Sequence, residues 1–246
     1  MSGLRPYWSS EQHGLRIFHG DCLDVLPALA EAGEGFDLCL TDPPFGIGFK
    51  YNEHDDDMTP DEYRDFLWPR IQAAESLVVD SGSVFVWQAW LTRKHWDAWF
   101  PRDFRVFTVT KSFVQMQAVA MQWATDPVLF WHIGQAPSYP DSPRDWYHCR
   151  SAAWHADGNI NHPCPRQVGP CAYVIDGLRS ATVLDPFLGS GTTLVAAYRL
   201  GRHATGIEIS EEYCELAARR LEAELAQGRL FEPAEVTGAK QEVIAL

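Results

Sequence analysis

The sequence predicts an α/β fold with a mainly parallel sheet and helices on both of its faces. Short apolar runs that end at polar or acidic residues are typical of buried parallel strands, and helical patterns alternate with them. The chain has 246 residues, of which 46% are hydrophobic and 22% are charged. A chain of this length and composition can bury a sizeable core in one unit. We therefore expect a single domain over residues 1–246.

The first clear strand is Phe36–Thr41, an apolar run that ends at Asp42. A buried parallel strand delivers the next residue to the carboxyl edge of the sheet, so Asp42 is expected at that edge. A helix then begins at Thr59-Pro60-Asp61-Glu62, which combines an N-cap, a first-turn proline and a capping-box glutamate. Pro69 is expected to kink or split this helix near Trp68, because proline lacks a backbone donor.

The middle of the chain contains four segments rich in β-branched and aromatic residues, which are predicted strands. They are Ser83–Trp87, Phe104–Lys111, Val119–Ala124 and Val128–Ile133. Residues 134–161 then interrupt this pattern with Pro137, Pro140, Pro143 and Gly158, which are interleaved with several aromatic residues. A short, loop-rich insert is therefore predicted there.

The last third predicts a strand, a loop, a helix and a second strand that ends at an acid. The segments are Ala181–Leu184, Thr192–Leu200 and Ala204–Ile207, followed by Glu208. Ser210 is expected to cap a final helix that ends near Gly228. The apolar stripe of that helix is Tyr213, Leu216, Ala217, Leu221 and Leu225.

The net charge of −13 argues against a nucleic-acid binder, because neutralising phosphates usually requires a basic face. Its distribution weakens this objection, since residues 51–65 and 208–246 contribute −11 of that charge. Residues 93–111 hold five basic residues against two acidic ones. This basic strip is either a nucleic-acid contact or a solvated surface, and the sequence supports both interpretations.

Several features favour a reducing, cytoplasmic location. The first residues lack the apolar region of a signal peptide, and no run reaches the ~18 apolar residues that span a bilayer. The six cysteines are too widely spaced to indicate a disulfide framework. Histidines and cysteines crowd residues 148–171, but without the C-x-x-C spacing of zinc sites, so we predict no metal.

A glycine-containing loop, Asp185-Pro186-Phe187-Leu188-Gly189-Ser190-Gly191-Thr192-Thr193, follows the strand before it. Gly189 and Gly191 permit a tight turn and a close approach to a ligand, where a Cβ would collide. Glu208 lies 17 residues beyond Gly191, at the end of the next strand, where a carboxylate can accept both hydroxyls of a ribose. A nucleoside cofactor is therefore predicted. Leu194 replaces the third glycine of a dinucleotide fingerprint.

A second motif, Asp42-Pro43-Pro44-Phe45, precedes that loop by about 140 residues. The two motifs in this order resemble the permuted β class of DNA amino-methyltransferases, which modify the N6 of adenine or the N4 of cytosine. The resemblance runs from about Gly20 to about Leu225. It implies a Rossmann-like, mixed but mainly parallel sheet of seven strands, and S-adenosylmethionine as cofactor. It also implies that the partner is double-stranded DNA with a flipped base.

The resemblance assigns cofactor contacts to three segments. Asp185, Pro186, Phe187, Gly189 and Gly191 match the cofactor loop, and Thr192 and Thr193 open the next helix near the methionine moiety. Gly20-Asp21-Cys22 is similar to the family's Gly-Asp segment, which implies that Asp21 contacts the adenine amino group and Cys22 lies beside it. His162-Pro163-Cys164-Pro165-Arg166 is similar to the family's His-Pro-Thr-Gln-Lys segment, which implies that Arg166 lies near the methionine carboxylate.

The Asp42–Phe45 motif has a physical rationale. An exocyclic amino group is a poor nucleophile because its lone pair is delocalised into the ring. The Asp42 carboxylate and the Pro43 carbonyl can each accept one N–H hydrogen bond, which localises that lone pair. Pro44 helps to stiffen the acceptor pair, and Phe45 is expected to stack on the flipped base.

The resemblance leaves the acceptor open. Asp, rather than Ser, at the first motif position usually accompanies adenine in the family, which favours adenine N6 over cytosine N4. The sequence is also compatible with an RNA base as acceptor, with a small-molecule methyltransferase and with a catalytically inactive binding partner. The sequence is compatible with a monomer or a homodimer, and with or without a restriction partner.

Residues 134–161 stand where the resembled family carries target recognition, and this insert is short for that task. We expect it to contact the nucleic acid and to discriminate only modestly between sequences. The side chains expected to do so are Arg144, Trp146, Tyr147, Arg150 and Trp154.

Overall fold

The computed structural model describes residues 4–46, 57–112, 124–136, 138–149 and 167–228. Within them the strands are β1 (Trp8–Ser10), β2 (Leu15–His19), β3 (Phe36–Thr41), β4 (Val78–Trp87), β5 (Arg105–Lys111), β6 (Thr125–His132), β7 (Trp146–Cys149), β8 (Thr182–Asp185) and β9 (His203–Glu208). The helices are α1 (Cys22–Glu31), α2 (Pro60–Glu75), α3 (Trp96–Trp99), α4 (Val168–Gly177), α5 (Thr192–Arg199) and α6 (Glu211–Gln227). Two 3₁₀ turns cover Glu11–His13 and Trp90–His95.

All these strands join one mixed sheet in the order β1-β2-β9-β8-β3-β4-β6-β5-β7. The five strands from β2 to β4 run parallel, whereas β6 runs antiparallel to both of its neighbours. The edge strand β1 is antiparallel to β2, and the edge strand β7 is parallel to β5. The predicted α/β class with a mainly parallel sheet is therefore confirmed.

The predicted count of seven strands is wrong, because the described residues already form nine. The unpredicted strands are β1, β2 and β7, with three, five and four residues. Segments this short, with arginine or histidine among them, show neither a continuous apolar run nor a clear alternation. The predicted strand Val119–Ala124 lies outside the described residues except for Ala124.

The core consists of two apolar layers, one on each face of the sheet. Side chains of α4, α5 and α6 pack on one face, and side chains of α1, α2 and α3 pack on the other. Strand β3 contributes to both layers, with Leu38 and Leu40 on one face and Cys39 on the other. This alternation follows from the two-residue period of a strand. In the described part of the chain, no helix combines the length and apolar character needed to cross a membrane.

Helix α2 begins as predicted but is not split at Pro69. Thr59 and Glu62 form both hydrogen bonds of a capping box, and the helix continues from Pro60 to Glu75. Pro69 removes the donor for the Asp65 carbonyl, and both residues lie on the exposed side, where water can replace the lost bond. The helix therefore tolerates the proline.

Candidate functional site

The two predicted motifs lie at the same edge of the sheet. Strands β3 and β8 are parallel neighbours, with Leu38 opposite Val183 and Cys39 opposite Leu184. The residues that follow these strands therefore emerge together at the carboxyl edge, where open α/β sheets bind ligands. The Thr41 hydroxyl joins the two strand ends by donating a hydrogen bond to Asp185 Oδ1 at 2.8 Å.

A cleft of about 1190 Å³, including its part open to solvent, lies at this edge. The predicted site residues that line it are Asp21, Cys22, Asp42, Pro43, Pro44, Phe45, Asp185, Pro186, Phe187, Gly189, Thr192 and Glu208. Gly191 and Thr193 do not line it, and Arg166 lies outside the described residues. One cleft therefore brings together both motifs and the Gly20-Asp21-Cys22 segment.

Gly191 and Thr193 do not face the cleft but pack against the residues that form it. Gly191 has a φ of +83°, and a Cβ there would come within 3.0 Å of the Ala217 side chain. The Thr193 side chain is buried and hydrogen-bonds the Asp185 carboxylate. Gly191 thus lets α6 approach the loop, and Thr193 anchors its first residue.

Gly206 is a loop determinant that the sequence did not indicate. It lies in β9, and a Cβ there would come within 2.7 Å of the Leu188 side chain. Leu188 in turn donates its backbone N–H to the Ile207 carbonyl at 2.9 Å. The missing side chain at Gly206 therefore lets the loop fold down onto β9.

Glu208 is held rigidly at the end of β9. Its Oε2 accepts the Gly189 N–H at 2.7 Å, and its Oε1 accepts the Ser210 N–H at 2.9 Å. Burial raises the pKa of Glu208, and hydrogen bonds from the backbone of Ser210, Gly189 and Ile209 oppose that rise. Three backbone donors leave at least one lone pair of the carboxylate for a ligand hydroxyl.

The Ser210 hydroxyl shows that this part of the cleft suits a polar ligand. Ser210 occupies the N-cap position of α6, but its side chain does not make the predicted capping hydrogen bond. Its Oγ is buried and has no hydrogen-bond partner among the described residues, although Ser210 lines the cleft. A buried hydroxyl normally has a partner. With Glu208 it forms a donor and acceptor set that fits a ribose.

Asp21 is fixed between two helices. It is the N-cap of α1, where its Oδ1 accepts the Leu23 N–H at 2.9 Å, and its Oδ2 accepts Arg70 Nη2 of α2 at 2.7 Å. Burial acts to raise the pKa of Asp21, but the hydrogen bonds from Leu23 and Arg70 outweigh it and lower the pKa overall. Arg70 also stacks over the Phe66 ring at 4.2 Å.

Phe66 and Arg70 are cleft residues that no sequence motif indicated. They lie one turn apart on the same face of α2, and both line the cleft. The only signal was this four-residue spacing, which core and surface helices share. Ile209, Ser210 and Tyr213 also line the cleft and were missed for a similar reason, because they follow Glu208 without a motif of their own.

The two aspartates at the sheet edge differ in environment. Burial raises the pKa of Asp185 to about 7, the hydrogen bonds from Thr193, Thr41 and Phe187 oppose this, and the charge of Asp42 adds to it. Asp42 is only half-buried. Asp185 is therefore suited to hold the loop, whereas Asp42 is suited to accept hydrogen bonds from a ligand.

The cleft holds no activated thiol and no metal cluster among the described residues. Burial raises the pKa of Cys22 to about 12, so this side chain remains a thiol at neutral pH. No group of three or more histidine, cysteine or acidic side chains in the described part of the chain could hold a metal ion. The residues present can bind, orient and accept protons.

Comparisons with known proteins find similarity to DNA methyltransferases. The family model described as DNA methylase matches residues 177–219, which contain the loop, α5, β9 and the start of α6. A curated relative, the putative methylase YubD of Escherichia coli K12, is 29% identical over 85% of this chain and 90% of its own length. The type II methyltransferase M.ScaI of Streptomyces caespitosus is 22% identical over 89% of this chain and 84% of its own length.

Solved structures show the same fold. The M1.HpyAVI–SAM complex superposes with a TM-score of 0.67 at 20% identity, covering 84% of this chain and 98% of the other. The PvuII DNA methyltransferase, which is specific for cytosine N4, also gives a TM-score of 0.67, at 17% identity over 89% of each chain. The two likenesses show that this chain shares its α/β fold with both of these proteins.

Proposed function

We propose that the chain is a DNA amino-methyltransferase and that it methylates the exocyclic amino group of a flipped base in DNA, with adenine N6 as the target atom. The cofactor is S-adenosylmethionine. One observation carries the proposal: the Asp42–Phe45 motif and the Asp185–Thr193 loop line a single cleft, although about 140 residues separate them. An acceptor site and a cofactor site must be adjacent for direct transfer.

S-adenosylmethionine supplies a methyl group that its sulfonium already activates. On the cofactor side, we assign the ribose hydroxyls to the Glu208 carboxylate, which keeps a lone pair for a ligand, and to the buried Ser210 hydroxyl, which has no partner among the described residues. Asp21, anchored by Arg70, is assigned to the adenine amino group. The loop backbone around Gly189 provides the close approach that a bulky side chain would prevent.

On the acceptor side, the Asp42 carboxylate and the Pro43 carbonyl accept the two N–H groups of the target amine. This pairing favours a pyramidal nitrogen whose lone pair points at the methyl donor, and it stabilises the positive charge that develops there. Phe45 is half-buried at the cleft and offers an aromatic face for the flipped base. Asp42 can accept the amine proton after transfer.

The choice of adenine rests on Asp42. Both adenine and cytosine present two N–H donors to the same acceptor pair, so the hydrogen bonds alone do not select the base. Asp at this motif position accompanies adenine in the family that the chain resembles, and the half-buried Phe45 face suits the larger purine. Cytosine N4 is the second candidate, because the PvuII enzyme with this fold is specific for it.

The proposal is tested by incubating the protein with methyl-labelled S-adenosylmethionine and unmodified double-stranded DNA, RNA or no polymer. Label should enter DNA only, and nucleoside mass spectrometry of the digested product should find N6-methyladenine. N4-methylcytosine without N6-methyladenine would overturn the choice of base. Label in RNA alone, or in no polymer while the cofactor still binds, would overturn DNA methylation itself.

A further inference from the structure

Tyr63 of α2 lies in the core and contacts the Asp42–Phe45 motif, called here the acceptor motif, directly. Its hydroxyl donates a hydrogen bond to the Pro44 carbonyl at 2.7 Å, and the residue is only 1% exposed. Pro43 and Pro44 have no N–H groups, so this part of the motif lacks the backbone donors that usually fix a loop. The Tyr63 hydroxyl therefore supplies a polar anchor that the motif cannot make with its own backbone.

The ring of Tyr63 supports the same segment from below. Gly46 has a φ of +66°, and a Cβ there would come within 2.8 Å of the Tyr63 ring. The same ring packs against Trp99, with 4.5 Å between the ring centroids. Trp99 is itself fixed, since its indole N–H donates to the Pro60 carbonyl at 2.9 Å. Phe45, between Pro44 and Gly46, is thus flanked on both sides by contacts to Tyr63.

Gln88 reaches the same hydroxyl from the end of β4. Its Nε2 donates to the Tyr63 hydroxyl at 3.3 Å, and the residue is 1% exposed. The hydroxyl that accepts this bond can still donate its proton to the Pro44 carbonyl. Gln88 Oε1 is buried and has no partner among the described residues, which makes glutamine a costly choice for packing alone.

We propose that Tyr63 is a positioning residue for methyl transfer, which holds Pro44 and Phe45 in place, and that Gln88 orients its hydroxyl. The proposal rests on the proposed function of Asp42–Phe45. Pro44 lies between the Pro43 carbonyl and the Phe45 ring, so a shift of its peptide displaces both an amine acceptor and the stacking face. Catalysis by alignment is sensitive to shifts of this kind.

The first test is Tyr63→Phe, which removes the hydroxyl and keeps the ring that supports Gly46 and packs on Trp99. We expect turnover on DNA to fall about tenfold, while the Kd of S-adenosylmethionine stays within twofold, because the cofactor contacts are elsewhere in the cleft. Hydrogen exchange of the Phe45 and Gly46 amides should become faster. Tyr198→Phe is the matched control, since Tyr198 is 3% exposed and lies on the opposite face of the sheet.

The second test is Gln88→Met, which removes both the donor to Tyr63 and the unpartnered oxygen. We expect turnover to fall about threefold while the Tm does not decrease. A residue that only supports the fold would lower both. Because both side chains act through one hydroxyl, the double variant should be no slower than Tyr63→Phe alone.

These outcomes separate failure of the inference from failure of the proposed function. A wild-type protein that methylates no nucleic acid contradicts the proposed function, and the amide exchange of Phe45 and Gly46 then still tests the anchor. Turnover of Tyr63→Phe within twofold of wild type, or unchanged amide exchange, would refute the positioning role. Independent, multiplicative effects of the two substitutions would refute the part assigned to Gln88.

Discussion

At the scale of single residues, the cleft uses carboxylates for three different tasks. Asp185 is buried under three donors and fixes the loop, Glu208 is buried but keeps a lone pair for a ligand, and Asp42 is half-buried. Their environments, rather than their shared chemistry, set these differences. Removing the charge of each of these three side chains is therefore expected to change a different property of the protein.

Asp42→Ala should lower turnover on DNA by more than tenfold and leave the cofactor Kd within twofold. The carboxylate matters most when the amine becomes pyramidal, so its loss raises the barrier without weakening cofactor binding. Single-turnover methylation and calorimetry measure the two quantities. A variant that keeps more than a tenth of wild-type turnover, a loss below about 1.4 kcal/mol, would contradict the role of Asp42.

Glu208→Gln should weaken binding of S-adenosylmethionine by about 1.5–3 kcal/mol. The glutamine amide carries no charge, and its NH2 group cannot accept a hydrogen bond. The Gly189 N–H, the Ser210 N–H and the ribose hydroxyl must then share the one remaining amide oxygen. Calorimetry on the wild type and the variant measures the change. Glu224→Gln, which alters an ion pair with Arg199 between α5 and α6, is the control. Equal affinity in both variants would remove Glu208 from the cofactor site.

Asp185→Asn should change how stability depends on pH. Burial raises the pKa of Asp185 from 3.8 to about 7, so between these values the folded protein binds a proton that the unfolded chain has released. The stability of the wild type, relative to the variant, should therefore fall as the pH rises from about 4 to about 7, by up to about 4 kcal/mol. Urea unfolding at several pH values measures this, and parallel profiles would contradict the raised pKa.

At the scale of elements, the basic strip at residues 93–111 is less basic than its sequence indicates. Arg93 approaches Asp97, Arg102 pairs with Glu75, Arg105 pairs with Asp145 and Lys111 pairs with Asp126. The 3₁₀ turn Trp90–His95 follows the carboxyl end of β4, beside the strand that leads to Asp42. This turn also exposes 63% of the apolar Leu91. We expect DNA contact to concentrate at this turn.

Lys94 is an exposed residue of the turn Trp90–His95. Lys94→Gln should therefore weaken DNA binding uniformly across sequences. If Lys94 contacts one phosphate, the slope of log affinity against log salt should decrease by about 1. Fluorescence anisotropy at several salt concentrations measures the slope. Arg219→Gln removes an exposed charge from α6 and serves as the control. Identical slopes for the two variants would place the DNA elsewhere.

The sequence predicted those helices and strands well whose own residues carry a strong local pattern. The β3 run, the Thr59 capping box and the β8–loop–α5–β9 unit each carried strong local patterns, and the structure confirms them. It did not indicate β1 or β7, which owe their pairing to neighbouring strands rather than to their own composition. The hydrogen bonds from Tyr63 to Pro44 and from Gln88 to Tyr63 were equally invisible, because they join residues that are 19 and 25 positions apart in the chain.

At the scale of the whole molecule, the small insert at residues 134–161, which we expect to contact the target, predicts relaxed sequence specificity. Of its residues expected to contact DNA, Trp146 is exposed on the edge strand β7 and Arg144 is adjacent to it, while Arg150 and Trp154 lie outside the described residues. Each good base contact contributes only about 1–3 kcal/mol, so few positions can be read. Sequencing DNA methylated by the enzyme should show sites of at most about five base pairs. Exclusive methylation of a longer site would contradict this.

The central place of β3 also has a consequence for the order in which the chain can fold during synthesis. One edge of β3 pairs with β4, which follows it closely in the chain, but its other edge pairs with β8. Strand β2 likewise pairs with the late strand β9. Both partners come from residues 182–208. On a ribosome, the N-terminal half, which contains the Asp42–Phe45 motif, therefore emerges first. One edge of β3 then stays unpaired until most of the chain has been synthesised. Such edges promote wrong pairing between nascent chains, so we expect slow translation of residues 112–181 to increase aggregation.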